Sequence, residues 1–214
     1  MMQRDPPADC ALCPRLVAYR KEKQEKQPTW HNAPVASFGP ADAALLIVGL
    51  APGVTGANRT GRPFTGDFAG DLLYETLLSF GFAKGRYDKR PDDGLILVGC
   101  RITNAVRCVP PQNKPTGAEA KACRPYLAAE LAAAPSPRAI LALGRIAHDN
   151  VLTALNLRRR DYGFGHGARA ILPDGVTLYD SYHCSRYNTN TGRLTPEMFQ
   201  AVFAMIKKDL AAGG

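Results

Sequence analysis

The segment Ala44-Leu-Leu-Ile-Val-Gly-Leu-Ala-Pro-Gly53 decides the fold of this chain. Its first half is a near-continuous apolar run, which is typical of a strand buried on both faces of a parallel sheet. Its second half, Gly49–Gly53, combines glycine with proline and predicts a tight turn directly after that strand. The small residues of this turn would let backbone amides approach a flat ligand closely.

Apolar runs of similar length recur along the chain and alternate with helical patterns. With 214 residues and 45% hydrophobic content, the chain can build one sizeable core. The pattern predicts a single α/β domain over residues 1–214, a three-layer α/β/α sandwich around a central four-stranded, mostly parallel sheet. The further predicted strands are Leu95–Gly99, Ala139–Leu143 and Val176–Tyr179. The predicted helices are Gly70–Phe80, Pro115–Ala134, Gly144–Leu155 and a last helix that opens at Thr195.

Polar and glycine-containing segments follow each of these strands. Gly49–Gly53 follows the first, Asn104 the second, Gly144 the third, and Tyr182 with His183 the fourth. In open α/β sheets, ligands bind outside the carboxyl ends of the strands. We therefore expect the four loops to line one cleft.

Charge and hydropathy narrow the classes of partner. The formal net charge is +8 and the pI about 9.3, which favours a polyanion such as nucleic acid. A run of 18 apolar residues is missing, so we expect no membrane span. The opening Met1–Pro7 lacks an apolar stretch, which predicts a cytoplasmic protein rather than a secreted one.

Four of the six cysteines fall into two pairs, Cys10-x2-Cys13 and Cys108-x14-Cys123. The first pair alone could be a zinc knuckle or a redox pair, but the second is too widely spaced for another knuckle. A cubane iron–sulfur cluster takes one thiolate on each iron from separate parts of a chain. The spacing therefore suggests a cluster that ties a short N-terminal arm to the middle of the chain, while Cys100 is interpreted as a buried small hydrophobe.

Two side chains near the predicted cleft suit the binding of a flat ligand. Phe64, in Arg62-Pro-Phe-Thr-Gly66, could stack on it, although a core aromatic is the alternative. The amide of Asn104 offers a donor and an acceptor, although it could instead satisfy loop amides. The Gly49–Gly53 turn lacks the Gly-Lys-Ser/Thr ending of a phosphate loop and the GxGxxG of a dinucleotide site.

Four segments and the cysteine pattern, taken in order, resemble the uracil-DNA glycosylase superfamily. The segments are Gly49–Gly53, Gly61–Asp67, Ile102–Pro111 and Tyr182–Asn188. Leu50 and the run Asn58-Arg-Thr-Gly-Arg62 resemble its iron–sulfur-containing family 5, or type b. The resemblance implies a monofunctional glycosylase of base-excision repair, with a [4Fe–4S] cluster on Cys10, Cys13, Cys108 and Cys123.

The same resemblance assigns roles within the cleft. It implies that Phe64 stacks on the extruded base, that Asn104 reads its N3–H and O4 edge, and that His183 donates to uracil O2. Leu50 stands where better-known members carry a polar or acidic residue, so Asp67 is the nearest alternative acidic group. Asp67 could instead simply cap a helix. At that cap we expect it to stay ionised beside the positive helix end. Gly49, Leu50, Ala51 and Gly53 would complete the base pocket.

The resemblance also predicts how DNA is held. The expected DNA-contacting residues are Arg59, Arg62, Ser185, Arg186, Tyr187, Asn188 and Arg193. Tyr187 stands where a side chain wedges into the duplex, and the loop His183-Cys-Ser-Arg186 lacks both prolines of the His-Pro-Ser-Pro form familiar in the superfamily. The expected substrate is DNA containing uracil or other deaminated bases such as hypoxanthine, bound by a monomer that associates with the nucleoid. A non-catalytic nucleic-acid-binding module, stabilised by a cluster or zinc, and an electron-transfer protein are the alternative interpretations.

Overall fold

A computed structural model describes residues 4–132 and 137–212. Its helices are α1 (Pro14–Lys26), α2 (Ala57–Thr60), α3 (Phe68–Ser79), α4 (Gly117–Leu131), α5 (Arg145–Ala154), α6 (Arg186–Asn190) and α7 (Pro196–Ala212). Its strands are β1 (Leu45–Gly49), β2 (Ala83–Lys84), β3 (Ile96–Leu97), β4 (Cys100–Asn104), β5 (Ala139–Leu143), β6 (Arg169–Ile171) and β7 (Thr177–Ser181). Two short 3₁₀ turns lie at Pro111–Asn113 and Arg159–Asp161.

The central sheet has five strands in the order β4-β1-β5-β7-β6. The first four are parallel, and β6 pairs antiparallel with β7 at the edge. The predicted mostly parallel α/β fold is therefore confirmed, but the prediction of four strands was one too few. The missed strand β6 is only three residues long and largely exposed, so it carries no apolar run that a sequence pattern could reveal.

Side chains of β1 alternate between two apolar layers, as the period of a strand requires. Leu45 and Ile47 pack with α3 and α7 on one face of the sheet. Leu46 and Val48 pack with α4 and α5 on the other. The three-layer sandwich is thus built from a strand that is apolar on both faces, as its sequence predicts.

The second strand of the sheet is Cys100–Asn104 and not the predicted Leu95–Gly99. Within the predicted segment, Ile96–Leu97 instead pairs antiparallel with β2 in a small separate sheet. Gly99 separates the two with φ of +60°, a left-handed conformation that ends the first strand before the second begins. Cys100 is fully buried in the core, as predicted.

Three long helices start at polar caps that orient them on the sheet. The side chain of Asp67 accepts from the Gly70 N–H, and Thr116 forms a capping box with Glu119. The Thr195 hydroxyl accepts from the Met198 N–H at the start of α7. Within the described residues α4 ends at Leu131, and the last two residues of the predicted helix Pro115–Ala134 lie outside them. Across the part of the chain that the structure describes, none of the helices is sufficiently long and apolar to cross a bilayer.

Candidate active site

A cleft of about 440 Å³ opens at the carboxyl end of the central sheet. Its walls come from the loop after β1, the segment before α3, the end of β4 and the loop after β7, as the strand order predicts. The residues that line it are Leu50, Ala51, Pro52, Gly53, Val54, Thr55, Ala57, Phe64, Asp67, Phe68, Ala69, Asn104, Asn113, His183, Ser185 and Arg186. Gly144, from the third expected loop, does not line the cleft, although a β-carbon there would lie 3.5 Å from that of His183.

Gly49 brings Asn104 and Phe64 together at the base of this cleft. Gly49 and Asn104 are partners in the β1–β4 register, and the ladder continues as Ala105 N–H donates to Gly49 O at 2.9 Å. A β-carbon on Gly49 would lie 2.4 Å from Asn104 Oδ1 and 2.7 Å from the Phe64 ring. Only a residue without a side chain leaves room for both groups.

Asn104 presents a free amide to the cleft. The residue is 3% exposed, yet its side chain makes no hydrogen bond to any described residue. A purely structural asparagine at this place would bind loop amides, because buried polar groups are nearly always paired. The alternative of an asparagine that satisfies the loop is therefore not supported, and its donor and acceptor are available to a ligand.

The ring of His183 stands across the cleft from Phe64. The two ring centroids are 6.0 Å apart with an interplanar angle of 30°. Burial lowers the pKa of His183 to about 4, so the imidazole is neutral at physiological pH. Its ring nitrogens have no hydrogen-bond partner among the described residues, whereas His31, His148 and His166 are each bonded to protein acceptors.

Phe64 belongs to both the core and the cleft. It is 7% exposed and packs in the main apolar layer, while its ring also lines the cavity. Its φ of +54° is unusual for a residue with a side chain. The interpretation of Phe64 as a core aromatic is confirmed, while its role as a stacking face stays a prediction that its place in the cleft wall permits.

Asp67 caps α3 with one oxygen and faces the cleft loop with the other. Its Oδ1 accepts from Gly70 N–H at 3.3 Å. Its Oδ2 lies 2.3 Å from where a β-carbon on Gly56 would stand and 3.0 Å from that on Gly53. Burial raises its pKa, although the backbone N–H groups of Gly70 and Ala69 oppose the shift. Desolvation therefore outweighs the cap in the direction of the pKa shift, and the expectation that Asp67 stays ionised at the helix end stays a prediction.

The predicted DNA-contacting residues divide into exposed and internal ones. Arg59, Arg186 and Arg193 are exposed, and Tyr187 is 72% exposed. Two of the arginines are held on aromatic rings, Arg186 on Phe68 at 5.3 Å and Arg193 on Tyr182 at 4.6 Å.

Ser185 and Asn188 shape the loop that carries His183. The Ser185 hydroxyl caps α6 by accepting from Asn188 N–H at 3.3 Å, and Asn188 Nδ2 donates to His183 O at 2.8 Å. These two hydrogen bonds hold the loop in its conformation. Of the two residues, only Ser185 also lines the cleft.

Arg62 is buried inside the protein and does not form part of the exposed surface where a DNA contact was predicted. It is 5% exposed, and its guanidinium forms two hydrogen bonds of 2.8 Å to Asp93. Sequence cannot distinguish this buried arginine from the exposed Arg59 three positions earlier. One further basic residue that no motif indicated, the exposed Arg145, lies over Phe164 at 5.4 Å beside Gly144.

The four paired cysteines line one small apolar pocket away from this cleft. Cys10 and Cys13 reach it from the arm before α1, Cys108 from the segment after β4, and Cys123 from α4. All four are free thiols, and Arg107 N–H donates to Cys123 Sγ at 3.3 Å. In the described ranges 4–132 and 137–212, no group of three or more His, Cys, Asp or Glu side chains is arranged so that it could hold a single metal ion.

Comparison with known proteins identifies the family. The sequence profile of the uracil DNA glycosylase superfamily matches residues 36–207. The chain belongs to the uracil DNA glycosylase superfamily. It is 47% identical to a type-5 uracil-DNA glycosylase of Thermus thermophilus, over 93% of each chain. It is 40% identical to a type-5 uracil-DNA glycosylase of Pyrobaculum aerophilum, over 94% of this chain and 89% of the relative.

The superfamily contains more distant relatives of a second type. A type-4 uracil-DNA glycosylase of Pyrobaculum aerophilum is 35% identical over 72% of this chain and 65% of the relative. The type-5 relatives match more of the chain at higher identity, so the chain belongs with the type-5 branch. The resemblance drawn from the sequence motifs is confirmed.

Proposed function

We propose that this chain is a monofunctional DNA glycosylase that extrudes uracil from DNA and hydrolyses its bond to the sugar. The observation that carries the proposal is the cleft in which an unpaired Asn104 amide and an unpaired His183 imidazole lie beside the ring of Phe64. A flat heterocycle placed against Phe64 meets one donor–acceptor pair and one further donor. The names of the type-5 relatives support the same activity.

The three side chains divide the work of base recognition and release. Phe64 stacks on the extruded base, while Asn104 donates to O4 and accepts from N3–H. His183 donates to O2, where negative charge develops as uracil departs. A neutral imidazole suffices for this, and the low pKa of about 4 keeps it neutral.

Asp67 is the acidic group of the cleft and the candidate to stabilise the cationic sugar. Its Oδ2 faces the Gly53–Gly56 loop, while its Oδ1 remains fixed by the helix cap. A carboxylate held this way offers negative charge at a fixed position without side-chain rearrangement. A lysine is missing from the residues that line the described cleft, which supports hydrolysis rather than attack by a protein amine.

The rim of the cleft supplies the DNA-binding surface in this proposal. Arg186, Arg193 and Arg145 each lie over an aromatic ring and are directed by it, so less side-chain freedom is lost when a phosphate binds. Tyr187, which is 72% exposed, is the side chain that we propose fills the gap left by the extruded nucleotide. We infer that the enzyme acts as a monomer on the DNA of the nucleoid.

We further infer that Cys10, Cys13, Cys108 and Cys123 hold a [4Fe–4S] cluster. The donor set supports this, because four free thiols line one apolar pocket and a backbone N–H points at one sulfur. In a cubane each thiolate binds a different iron, so the four sulfurs need not converge on one atom as they would around a single zinc ion. When bound, the cluster would supply structural cross-linking of the arm to β4 and α4.

The lining of the pocket bears on which bases beyond uracil are accepted. Leu50, Ala51 and Gly53 line the cleft with apolar side chains or with none. We infer that deaminated purines such as hypoxanthine are also released. Release of hypoxanthine by the wild type, measured beside uracil on matched duplexes, tests this part independently.

Base release from uracil-containing duplex DNA by the purified protein tests the main proposal. Wild type should release uracil, while Asn104→Ala and His183→Ala should retain binding to an intact duplex and lose at least about 10²-fold in single-turnover rate. A wild-type protein that binds the duplex and releases no base would instead establish the non-catalytic binding module.

A further inference from the structure

Phe64 is held in a backbone conformation that it would not adopt unaided. Its φ of +54° lies in the left-handed region, where side chains with a β-carbon are strained. The residues on either side, Pro63 and Thr65, are buried. Something in the surrounding structure must therefore fix this turn.

The hydroxyl of Tyr87 bridges the backbone on both sides of the turn. It accepts from Gly66 N–H at 3.3 Å and donates to Phe64 O at 3.3 Å. One phenol thus satisfies a donor and an acceptor that regular secondary structure would otherwise pair.

A second phenol fixes the residue before Phe64. Tyr74 Oη donates to Pro63 O at 2.6 Å. The Tyr74 and Tyr87 rings are stacked with centroids 4.5 Å apart. The two hydroxyls are consequently held side by side against consecutive carbonyls, those of Pro63 and Phe64.

Arg62 and Asp93 lock the two phenols in place. The Arg62 guanidinium lies 5.4 Å from the Tyr74 ring and 5.8 Å from the Tyr87 ring. Both ends of the guanidinium bind Asp93 at 2.8 Å, and Arg62 Nε donates to Thr65 Oγ1 at 2.7 Å. A bidentate arginine–carboxylate pair is geometrically specific, so it restrains the turn as well as the rings.

Helix α3 packs against the backbone of the Phe64 turn. A β-carbon on Gly70 would lie 1.7 Å from Phe64 O and 2.5 Å from Tyr87 Oη. The helix can approach this closely only because position 70 is glycine. The Phe64 carbonyl is therefore surrounded by Tyr87 and α3, while the Phe64 ring packs in the core and lines the cleft.

We propose that Tyr87 is a positioning residue that, with Tyr74 and the Arg62–Asp93 pair, holds the Phe64 ring at the place where the extruded base stacks. This rests on the proposed function, because it takes Phe64 as the stacking face. Tyr87 lies in the connection between β2 and β3, outside every segment that carries the family resemblance.

The proposal predicts which step depends on Tyr87. Phe64 meets the base only after extrusion, whereas duplex affinity comes mainly from phosphate contacts at the rim. Loss of the bridge should therefore slow base capture and cleavage and leave duplex affinity unchanged. A merely structural tyrosine would lower stability without this separation.

Tyr87→Phe tests it, because the ring stack stays and only the bridging hydroxyl is removed. Tyr179→Phe is the matched control, since it also removes one hydroxyl hydrogen bond, to Asp209, at a strand position outside the cleft. We expect Tyr87→Phe to lose about tenfold in single-turnover uracil release while its Kd for duplex DNA changes less than about twofold. Tyr179→Phe should keep the wild-type rate, although its melting temperature should fall about as much as that of Tyr87→Phe.

Tyr74→Phe is a second test of the same hydrogen-bond network. It should also lower the single-turnover rate of uracil release while leaving the Kd for duplex DNA unchanged. A wild-type rate for Tyr87→Phe, or an equal rate loss in Tyr179→Phe, overturns the proposal. If Tyr87→Phe does not fold, a wild-type rate for Tyr74→Phe overturns it instead. Wild-type protein that releases no uracil in this assay refutes the glycosylase activity itself, which is a separate outcome.

Discussion

Asn104 is the register partner of Gly49 on the neighbouring parallel strand, and its amide oxygen fills the space in which a Gly49 side chain would stand. The recognition group and the glycine thus belong to one structural unit of the sheet. Because strands are the most rigid part of the fold, the amide is held where small displacements are costly.

Gly49→Ala should abolish most activity with a modest effect on folding. The added methyl would lie 2.4 Å from Asn104 Oδ1 and 2.7 Å from the Phe64 ring, so one of the two must move. We expect single-turnover uracil release to fall at least about 10²-fold. Gly117→Ala, at the start of α4 where a β-carbon meets nothing within 4 Å, should leave the rate unchanged.

Asn104→Asp should change base preference. A carboxylate cannot donate to uracil O4, but it can accept from the exocyclic amine of cytosine. We expect loss of uracil release and a gain in the relative rate on cytosine, measured on paired substrates, whereas Asn104→Ala should lose uracil without any gain. Unchanged relative rates would remove Asn104 from base recognition.

Asp67→Asn separates the cap from the charge. Asparagine caps a helix as well as aspartate does, so the fold should persist, while single-turnover release should fall about 10²–10³-fold if the carboxylate stabilises the cationic sugar. Asp67→Ala should in addition lose about 1 kcal/mol of unfolding free energy with the cap. A wild-type rate in Asp67→Asn would leave Asp67 with the capping role alone.

Stability against pH offers an independent measurement on the same carboxyl. Its pKa is raised by burial in the folded state, so the folded chain binds this proton more tightly than the unfolded chain does. As pH rises from the unfolded pKa of about 4 through the folded value, wild type should lose stability that Asp67→Asn does not lose. Denaturant unfolding of both proteins between about pH 4 and 7 measures this. As pH rises, the free energy of unfolding of wild type should fall relative to that of Asp67→Asn.

Spectroscopy of the cysteine variants tests the cluster. Anaerobically purified wild type should be brown, with a broad absorption near about 400 nm from thiolate–iron charge transfer. Cys123→Ser should lose the band, whereas Cys100→Ser, in the main core, should keep it. Stoichiometric zinc without iron in natively expressed protein would contradict the assignment.

Sequence patterns predicted those parts of the site that depend on local order along the chain. Ala139–Leu143 is a strand over its predicted bounds. Asn104 is the last residue of β4 and His183 follows β7, and the carboxyl ends of these parallel strands lie at the same edge of the sheet. The burial of Arg62 and the bridging role of Tyr87 were not predictable, because each depends on contacts between segments far apart in sequence. Strand β6 was missed since an exposed three-residue edge strand has no periodic signature.

The N-terminal arm is anchored on both sides of its cysteines by the protein itself. Before them, Asp5 Oδ1 accepts from the buried Arg107 at 2.6 Å. After them, Arg20 donates to Ala8 O at 3.2 Å and to Cys10 O at 2.7 Å. Cys10 and Cys13 therefore lie in a short closed loop and not on a free tail, and closing that loop costs no further chain entropy when a cofactor arrives. The protein's own hydrogen bonds thus preorganise the thiol pocket for the cluster that we propose.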